Sequence, residues 1–257
     1  MKWKRIATRT ISEISSLSRN TRPRAGYRVM LYHAVGSSVP NDTYGISVEP
    51  KRFERQMELL ANQPDVSLVP FDRYESMEDA LQVAITFDDG YKDNLYQAAP
   101  VLLKWQIPFT VFVVSSFIRQ DDSCYLTPSE LRELAALPGV TIGSHGLTHL
   151  PLAECNDTTL SRELADSRRD LESIIGLSVT TIAYPHGSAN VRVRNAAARA
   201  GYKVGGCSRF DINDERRDRL LLCRSEVIAS DSDKVFLQKL NGGWDWYRWR
   251  RRDPARQ

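Results

Sequence analysis

The chain predicts an α/β fold of parallel strands joined by helices, and three observations lead there. Short β-prone runs alternate with segments of helical periodicity, the pattern of βαβ units in one sheet or barrel. An adjacent pair of aspartates and all four histidines fall where the expected strands end, as reactive groups do at the C-terminal mouth of a barrel. A length of 257 residues with 42% hydrophobic content supports a single large core, and no Gly/Ser linker or internal repeat divides it.

Taken in order, a first strand is expected over 28–32 and a helix over 50–62. The apolar run Val83-Ala84-Ile85 leads into Thr86-Phe87-Asp88-Asp89-Gly90 and reads as a buried strand, followed by helical periodicity over 93–105. Residues 108–114 hold Phe109-Thr110-Val111-Phe112-Val113-Val114, which is strongly β-prone. A helix over 129–137 is announced by Thr127-Pro128-Ser129-Glu130, with a capping Thr, Pro at the first helical position and Glu three residues on. Val140-Thr141-Ile142 is the next strand, and a long helix over 158–175 ends at Gly176, a left-handed cap candidate. The β-rich segment 179–182, a helix over 191–200 stopped by Gly201, a strand near 202–206 and a last strand over 220–226 complete the pattern.

Two adjacent carboxylates at a strand end need a cation or hydrogen bonds to offset burial. Asp88 and Asp89 could instead cap the following helix, where acidic groups meet free N–H groups and the positive dipole end. The second signal is Ser144-His145-Gly146-Leu147-Thr148-His149, in which a four-residue spacing brings two imidazoles to one side of a helix or tight turn. Two neutral imidazoles and one carboxylate suit zinc and leave a position open for water. Alone, such a spacing reads first as two polar loop residues; with Asp-Asp upstream, a metal site becomes the stronger reading.

Phe87-Asp88-Asp89-Gly90 followed by the His145 and His149 pair resembles the first two motifs of the polysaccharide deacetylase family, also called carbohydrate esterase family four or the chitooligosaccharide deacetylase homology domain. The resemblance runs over 27–241 and implies a distorted, incomplete (β/α) barrel of about seven strands. It implies that Asp88 is the catalytic base and that Asp89, His145 and His149 hold a divalent metal, zinc first and cobalt, nickel or manganese as alternatives. Ala183-Tyr184-Pro185-His186-Gly187 matches the third motif, which places Tyr184 and Pro185 beside the substrate and His186 where a backbone N–H completes an oxyanion hole.

Two departures stand out. Ala183 replaces the arginine that commonly orients the base, so Asp88 must be held by something else. The last strand, Leu220-Leu221-Leu222-Cys223-Arg224-Ser225-Glu226, lacks the histidine that protonates the leaving amine, and His33, at the end of the first strand, takes its place as candidate acid. The implied reaction is removal of an N-acetyl group from an amino sugar in a polysaccharide, glycan precursor or lipid-linked sugar. The alternatives are a deformylase or O-acetyl esterase on a related sugar, and a glycan- or metal-binding domain with impaired catalysis.

Cys124, Cys155, Cys207 and Cys223 show no CxxC spacing and read as free thiols of a reducing compartment, Cys223 as core. Residues 1–28 carry eight Lys/Arg and one Glu, and 244–257 five Arg and two Asp, so with a total of +3 the stretch between is acidic at −7. The chain therefore divides into a basic amphipathic segment over 1–26, a barrel domain over 27–243 and an aromatic, basic tail over 244–257. Trp3, Ile6, Ala7, Ile11, Ile14 and Leu17 share a helical face flanked by basic residues, which fits peripheral contact with an anionic membrane, docking on the barrel, or disorder. No stretch has the apolar length of a transmembrane helix or signal-peptide core, so the expected location is cytoplasmic, with contact at the inner membrane face an option. The tail's interleaved Trp and Arg residues suit a sugar, a lipid interface or a lid on the barrel end; the acidic body argues against nucleic acid.

Overall fold

A computed structural model of the protein describes residues 25–39, 42–74, 80–120, 122–250 and 252–256. Strand β1 (Gly26–Tyr32) is followed by a short parallel pair, β2 (Ala34–Val35) and β3 (Ser47–Val48), then helix α1 (Pro50–Ala61) and β4 (Val66–Leu68). Next come β5 (Leu81–Phe87), α2 (Ala99–Lys104), β6 (Phe109–Val113), α3 (Pro128–Ala135), β7 (Val140–Ser144), α4 (Asp157–Ile175), β8 (Thr181–Ala183), α5 (Val191–Arg199) and β9 (Val204–Cys207). The chain continues through β10 (Leu222–Cys223), β11 (Ser225–Glu226) and α6 (Asp233–Leu240).

The strands are parallel and run in the order β10-β9-β8-β7-β6-β5-β1-β11. β1 occupies one edge of β5 along its whole length, and the other edge is divided: 81–83 face β4 and 85–87 face β6. Only Arg224 separates β10 from β11. Cys223 pairs with Cys207 of β9, while Ser225 pairs with Met30 of β1, so the stretch 222–226 joins both ends of the sheet. The result is a nearly closed seven-strand (β/α) barrel, as the sequence predicts.

A two-residue period sorts the side chains. Tyr27, Val29, Phe71, Ala84, Phe112, Ala183, Val204 and Leu222 form one apolar cluster inside the barrel. The opposite faces of the strands pack on the helices, where Tyr32, Phe53, Phe87 and Phe109 meet at centroid distances of 5.3–5.9 Å. Every residue of β5 and β6 is buried, Gln82, Thr86 and Thr110 included, which explains why both strands read as largely apolar runs. The same period places Asp88 and Arg224 on the inner face.

Most element bounds agree with the sequence within a residue or two, and both proposed caps are present: the Thr127–Glu130 capping box and the left-handed Gly176, φ 70°. The expected helix over 93–105 is instead a wide π turn, Asn94–Ala98, running into α2. Pro100 accounts for the break, since it has no N–H to bond the preceding turn. The basic amphipathic segment expected over 1–26 lies outside the described residues as far as residue 24. The C-terminal segment packs onto the barrel: Asp245 takes a two-pronged ion pair from buried Arg28 at 2.6 and 3.1 Å. No described helix is long and apolar enough to cross a membrane.

Candidate active site

Four of the strands deliver the candidate site residues just past their C-terminal ends. Asp88 and Asp89 follow β5, His33 follows β1, His145 and His149 follow β7, and Tyr184-Pro185-His186 follow β8. Asp89 Oδ1 lies 3.5 Å from His145 Nε2 and 3.4 Å from His149 Nε2, too far for hydrogen bonds. Two ligands each about 2.1 Å from a tetrahedral zinc stand about 3.4 Å apart, so the gaps have the width a shared ion fills. The potential ligand atoms of Asp89, His145 and His149 all lie within 4.8 Å of one another.

The protonation states agree with that use. Burial pushes His145 below the ordinary imidazole range despite the nearby aspartates, and His145 Nδ1 sits 2.8 Å from the Ala183 carbonyl, which fixes the ring with Nε2 facing the carboxylates. Burial, with His145 and His186 as neighbours, pushes His149 down to about 4. Both rings are neutral at pH 7, as metal ligation requires.

The sequence left Asp88 without its arginine. Arg224 supplies it: Nη1 and Nη2 each donate at 2.7 Å to the two oxygens of the Asp88 carboxylate, a parallel fork between fully buried groups. Burial alone would raise the Asp88 carboxyl; the Arg224 guanidinium and His145 overcome that and hold it at about 2. The missed signal is a charged residue directly after the apolar run 220–223, the feature that made Asp88 and Asp89 conspicuous.

Other residues hold the loops. Glu163 of α4 is buried and accepts from Leu147 N and Thr148 N at 2.9 Å each and from the Thr148 hydroxyl, which pins the turn between the two histidines. Asp93 accepts from Val35 N and Ser37 N, and Asn94 Nδ2 donates to the His33 carbonyl at 2.9 Å, so the segment after the Asp pair ties down the segment bearing His33. His33 lies near enough to Asp88 to lower its carboxyl further, and its buried Nδ1 has no hydrogen-bond partner among the described residues. Asp89, His149 and His186 are three of the four described non-glycine residues with positive φ, at 74°, 64° and 58°. Strained backbone of this kind persists where surrounding contacts impose it, and here it aims side chains into one cleft.

The third motif is placed less simply. His186 is exposed, its ring 4.4 Å from that of His149 and its Nε2 3.2 Å from the His149 carbonyl. Pro185 is buried in the turn below it. Tyr184 does not face a substrate with its side chain: it is 0% exposed and its hydroxyl donates to the Leu220 carbonyl at 2.7 Å, so it joins β8 to the segment before β10. That contact corrects the substrate-binding role expected of Tyr184; the core captures its ring.

Comparison with known proteins agrees with this geometry. The polysaccharide deacetylase family model matches residues 77–205, which include Asp88, Asp89, His145, His149 and His186 but neither His33 nor Arg224. YxkH of Bacillus subtilis (strain 168), whose name is a provisional assignment as a polysaccharide deacetylase, is 30% identical over 190 residues, 72% of this chain and 65% of that protein. The poly-β-1,6-N-acetyl-D-glucosamine N-deacetylase of Staphylococcus aureus (strain MSSA476) is 27% identical over 62% of this chain and 60% of its own. The chain thus spans slightly less than two thirds of these curated relatives. The structure of the Streptococcus pyogenes deacetylase PplD in complex with acetate superposes with a TM-score of 0.74 over 85% of this chain and 99% of that one; at 23% identity it speaks for the fold. With the family model covering half its length and the motif residues gathered at one barrel mouth, this chain belongs to the polysaccharide deacetylase family.

Proposed function

We propose that the protein is a metal-dependent hydrolase that removes the N-acetyl group of an amino sugar in a polysaccharide. The observation that carries this reading is the juxtaposition of a fully buried, arginine-clamped Asp88 with the Asp89, His145 and His149 donor set. Those three residues would hold a divalent cation, whose positive charge would acidify water and polarise an amide carbonyl.

The chain's own groups do the rest. Asp88, ionised throughout the physiological range, accepts the proton of the attacking water, and Arg224 fixes both its oxygens so that the remaining lone pairs keep one direction. The backbone N–H of His186, at the turn above Pro185, is the candidate donor to the oxyanion. His33 gives its proton to the departing amine, and its tethered backbone keeps the ring beside Asp88. The products are acetate and a free amino sugar.

The name of the S. aureus relative makes oligomers of β-1,6-linked N-acetylglucosamine the first substrates to try. The zinc-reconstituted full chain should release acetate from at least one N-acetylated glycan. Asp88→Asn should abolish release while binding zinc as wild type does, and His33→Gln should lower kcat with metal content unchanged. No acetate from any substrate, with one ion bound per chain, would transfer the reading to formamide or O-acetyl ester hydrolysis.

A further inference from the structure

Glycine inside a strand weakens it, so either the backbone or the space beside it must call for one. Gly206 is the third residue of β9, and its φ is not positive, so the backbone makes no such demand. The space does. Val204 faces the interior, and the two-residue period turns Gly206 the same way and Gly205 to the outer face. Gly206 pairs in register with Ala183 on one side and Leu222 on the other, both members of the interior cluster. A Cβ on Gly206 would lie 2.7 Å from Arg224 Cδ, 2.8 Å from Nε and 3.3 Å from Cγ, whereas carbon atoms in contact rest at about 3.5–4.0 Å.

A long side chain usually yields to such a contact by swinging its free end. Arg224 has no free end. Its Cα is fixed at the break between β10 and β11, and its two Nη atoms are fixed on Asp88 at 2.7 Å each. The crowded atoms are consecutive and lie between those anchors. Phe112 stands beside the far end, its ring centroid 5.3 Å from the guanidinium carbon. That ring cannot retreat: it meets Phe71 edge-on at 5.2 Å, and Gly143 approaches it so closely that a Cβ there would overlap the ring. Arg224 Nε is buried without a hydrogen-bond partner among the described residues, so the stem is held at its two ends alone and its route is set by the space available.

We infer that Gly206 is a positioning residue for the reaction: its missing side chain is the passage through which Arg224 reaches Asp88, and any larger residue there pulls the fork off the carboxylate. Gly206 acts through Arg224, and its substitution therefore impairs turnover rather than substrate or metal binding.

The effect on turnover rests on Asp88 acting as the base; the passage itself does not. In the isotope-labelled, zinc-loaded full chain, the Arg224 Nη–H resonances are identified by their loss in Arg224→Lys, and burial with two charge-assisted hydrogen bonds keeps them sharp and slow to exchange. Gly206→Ala should broaden them and lower kcat about a hundredfold, the scale of a catalytic group misplaced by about 1 Å, with KM and bound zinc unchanged. Gly205→Ala is the control, because its Cβ is equally crowded, 2.7 Å from the Leu220 carbonyl oxygen and 2.8 Å from the Tyr184 hydroxyl, but on the outer face. It should leave the resonances and kcat as in wild type. Urea midpoints of the metal-free chains give an arm independent of activity. Gly206→Ala should lower the midpoint, or prevent folding, on its own, and leave the midpoint unchanged or higher where Asp88→Asn and Arg224→Ala together have emptied the passage. Sharp Arg224 resonances with unchanged kcat in Gly206→Ala, equal losses of both in Gly205→Ala, or an equal fall of the midpoint with the passage empty overturns the inference. A wild type that releases no acetate counts against the deacetylase reading alone, because the resonances and midpoints still decide this one.

Discussion

Replacing Arg224 by Met removes two 2.7 Å charge-assisted hydrogen bonds from a carboxylate that is 2% exposed. Breaking one side of a buried pair typically costs 3–5 kcal/mol, because the remaining charge stays desolvated. Titration sets a second scale. Asp88 is held at about 2 against an ordinary 3.8, and a difference of that size is worth on the order of 2 kcal/mol in favour of the folded, ionised state. Because the folded value is the lower one, this stability is present above pH 3.8 and is lost as the pH falls through about 2. Without Arg224, burial dominates and the carboxyl rises, so the variant should lose stability at neutral pH and regain part of it on acidification towards its new, higher value. A double-mutant cycle with Asp88→Asn, followed by urea denaturation of the metal-free chains, should give a coupling energy of about 3 kcal/mol. Arg224→Lys keeps the charge without the fork and should recover less than half of that. A coupling under about 0.5 kcal/mol, the limit of ordinary additivity, would refute the clamp.

Three further outcomes are expected. Glu163→Gln weakens the acceptor that pins Leu147 and Thr148 and should lower zinc affinity about 10–100-fold, as loss of a supporting residue does, read by competition with a chromophoric chelator; unchanged affinity would show that the loop holds itself. Zinc affinity should stay nearly flat from pH 8 to pH 6 and weaken on approach to the His149 value of about 4, since the imidazole stays neutral above it; a break near the ordinary imidazole value of about 6.5 would contradict the burial argument. Gly90→Ala places a Cβ 3.2 Å from Val113 at a φ of +82° and should cost about 1–2 kcal/mol of stability in urea denaturation, with the metal site intact.

What was legible in the sequence followed from local signals. The Thr127–Glu130 box, the Gly176 stop and the largely apolar runs of β5 and β6 depend only on near neighbours, and each is in place. The Asp89, His145 and His149 set was legible because strand ends in a parallel barrel converge, whatever the register. What depended on register was lost. Ala183 and Arg224 lie on β8 and at the β10–β11 break, and nothing local says that the side chain at 224 crosses the interior to the end of β5. Tyr184 failed for the opposite reason: its motif position was right, but the Leu220 carbonyl across the barrel wall captures the hydroxyl.

Those two displaced functions, the arginine and the acid, have one geometric explanation. The family's usual pattern takes its arginine from the end of β8, the position of Ala183, and its acid from the last strand; here the last strand brings Arg224 and the acid candidate comes from β1. β1 and β11 are hydrogen-bonded neighbours, Met30 beside Ser225, so their ends open on the same side of the site and either strand can serve it. Once Arg224 occupies the inward position at the break between β10 and β11, a histidine in its place would leave Asp88 unclamped, and the adjacent β1 is the nearest strand end not already committed to a ligand. Arg224 and His33 are therefore coupled choices. Moving a histidine to position 224 should fail unless an arginine is restored at 183, and Ala183→Arg combined with Arg224→His is the pair that tests it. Recovery of Asp88-dependent acetate release in the double variant, where Arg224→His alone has none, is the expected result; equal inactivity of both would show that the interior around Ala183 has closed too far to admit the side chain.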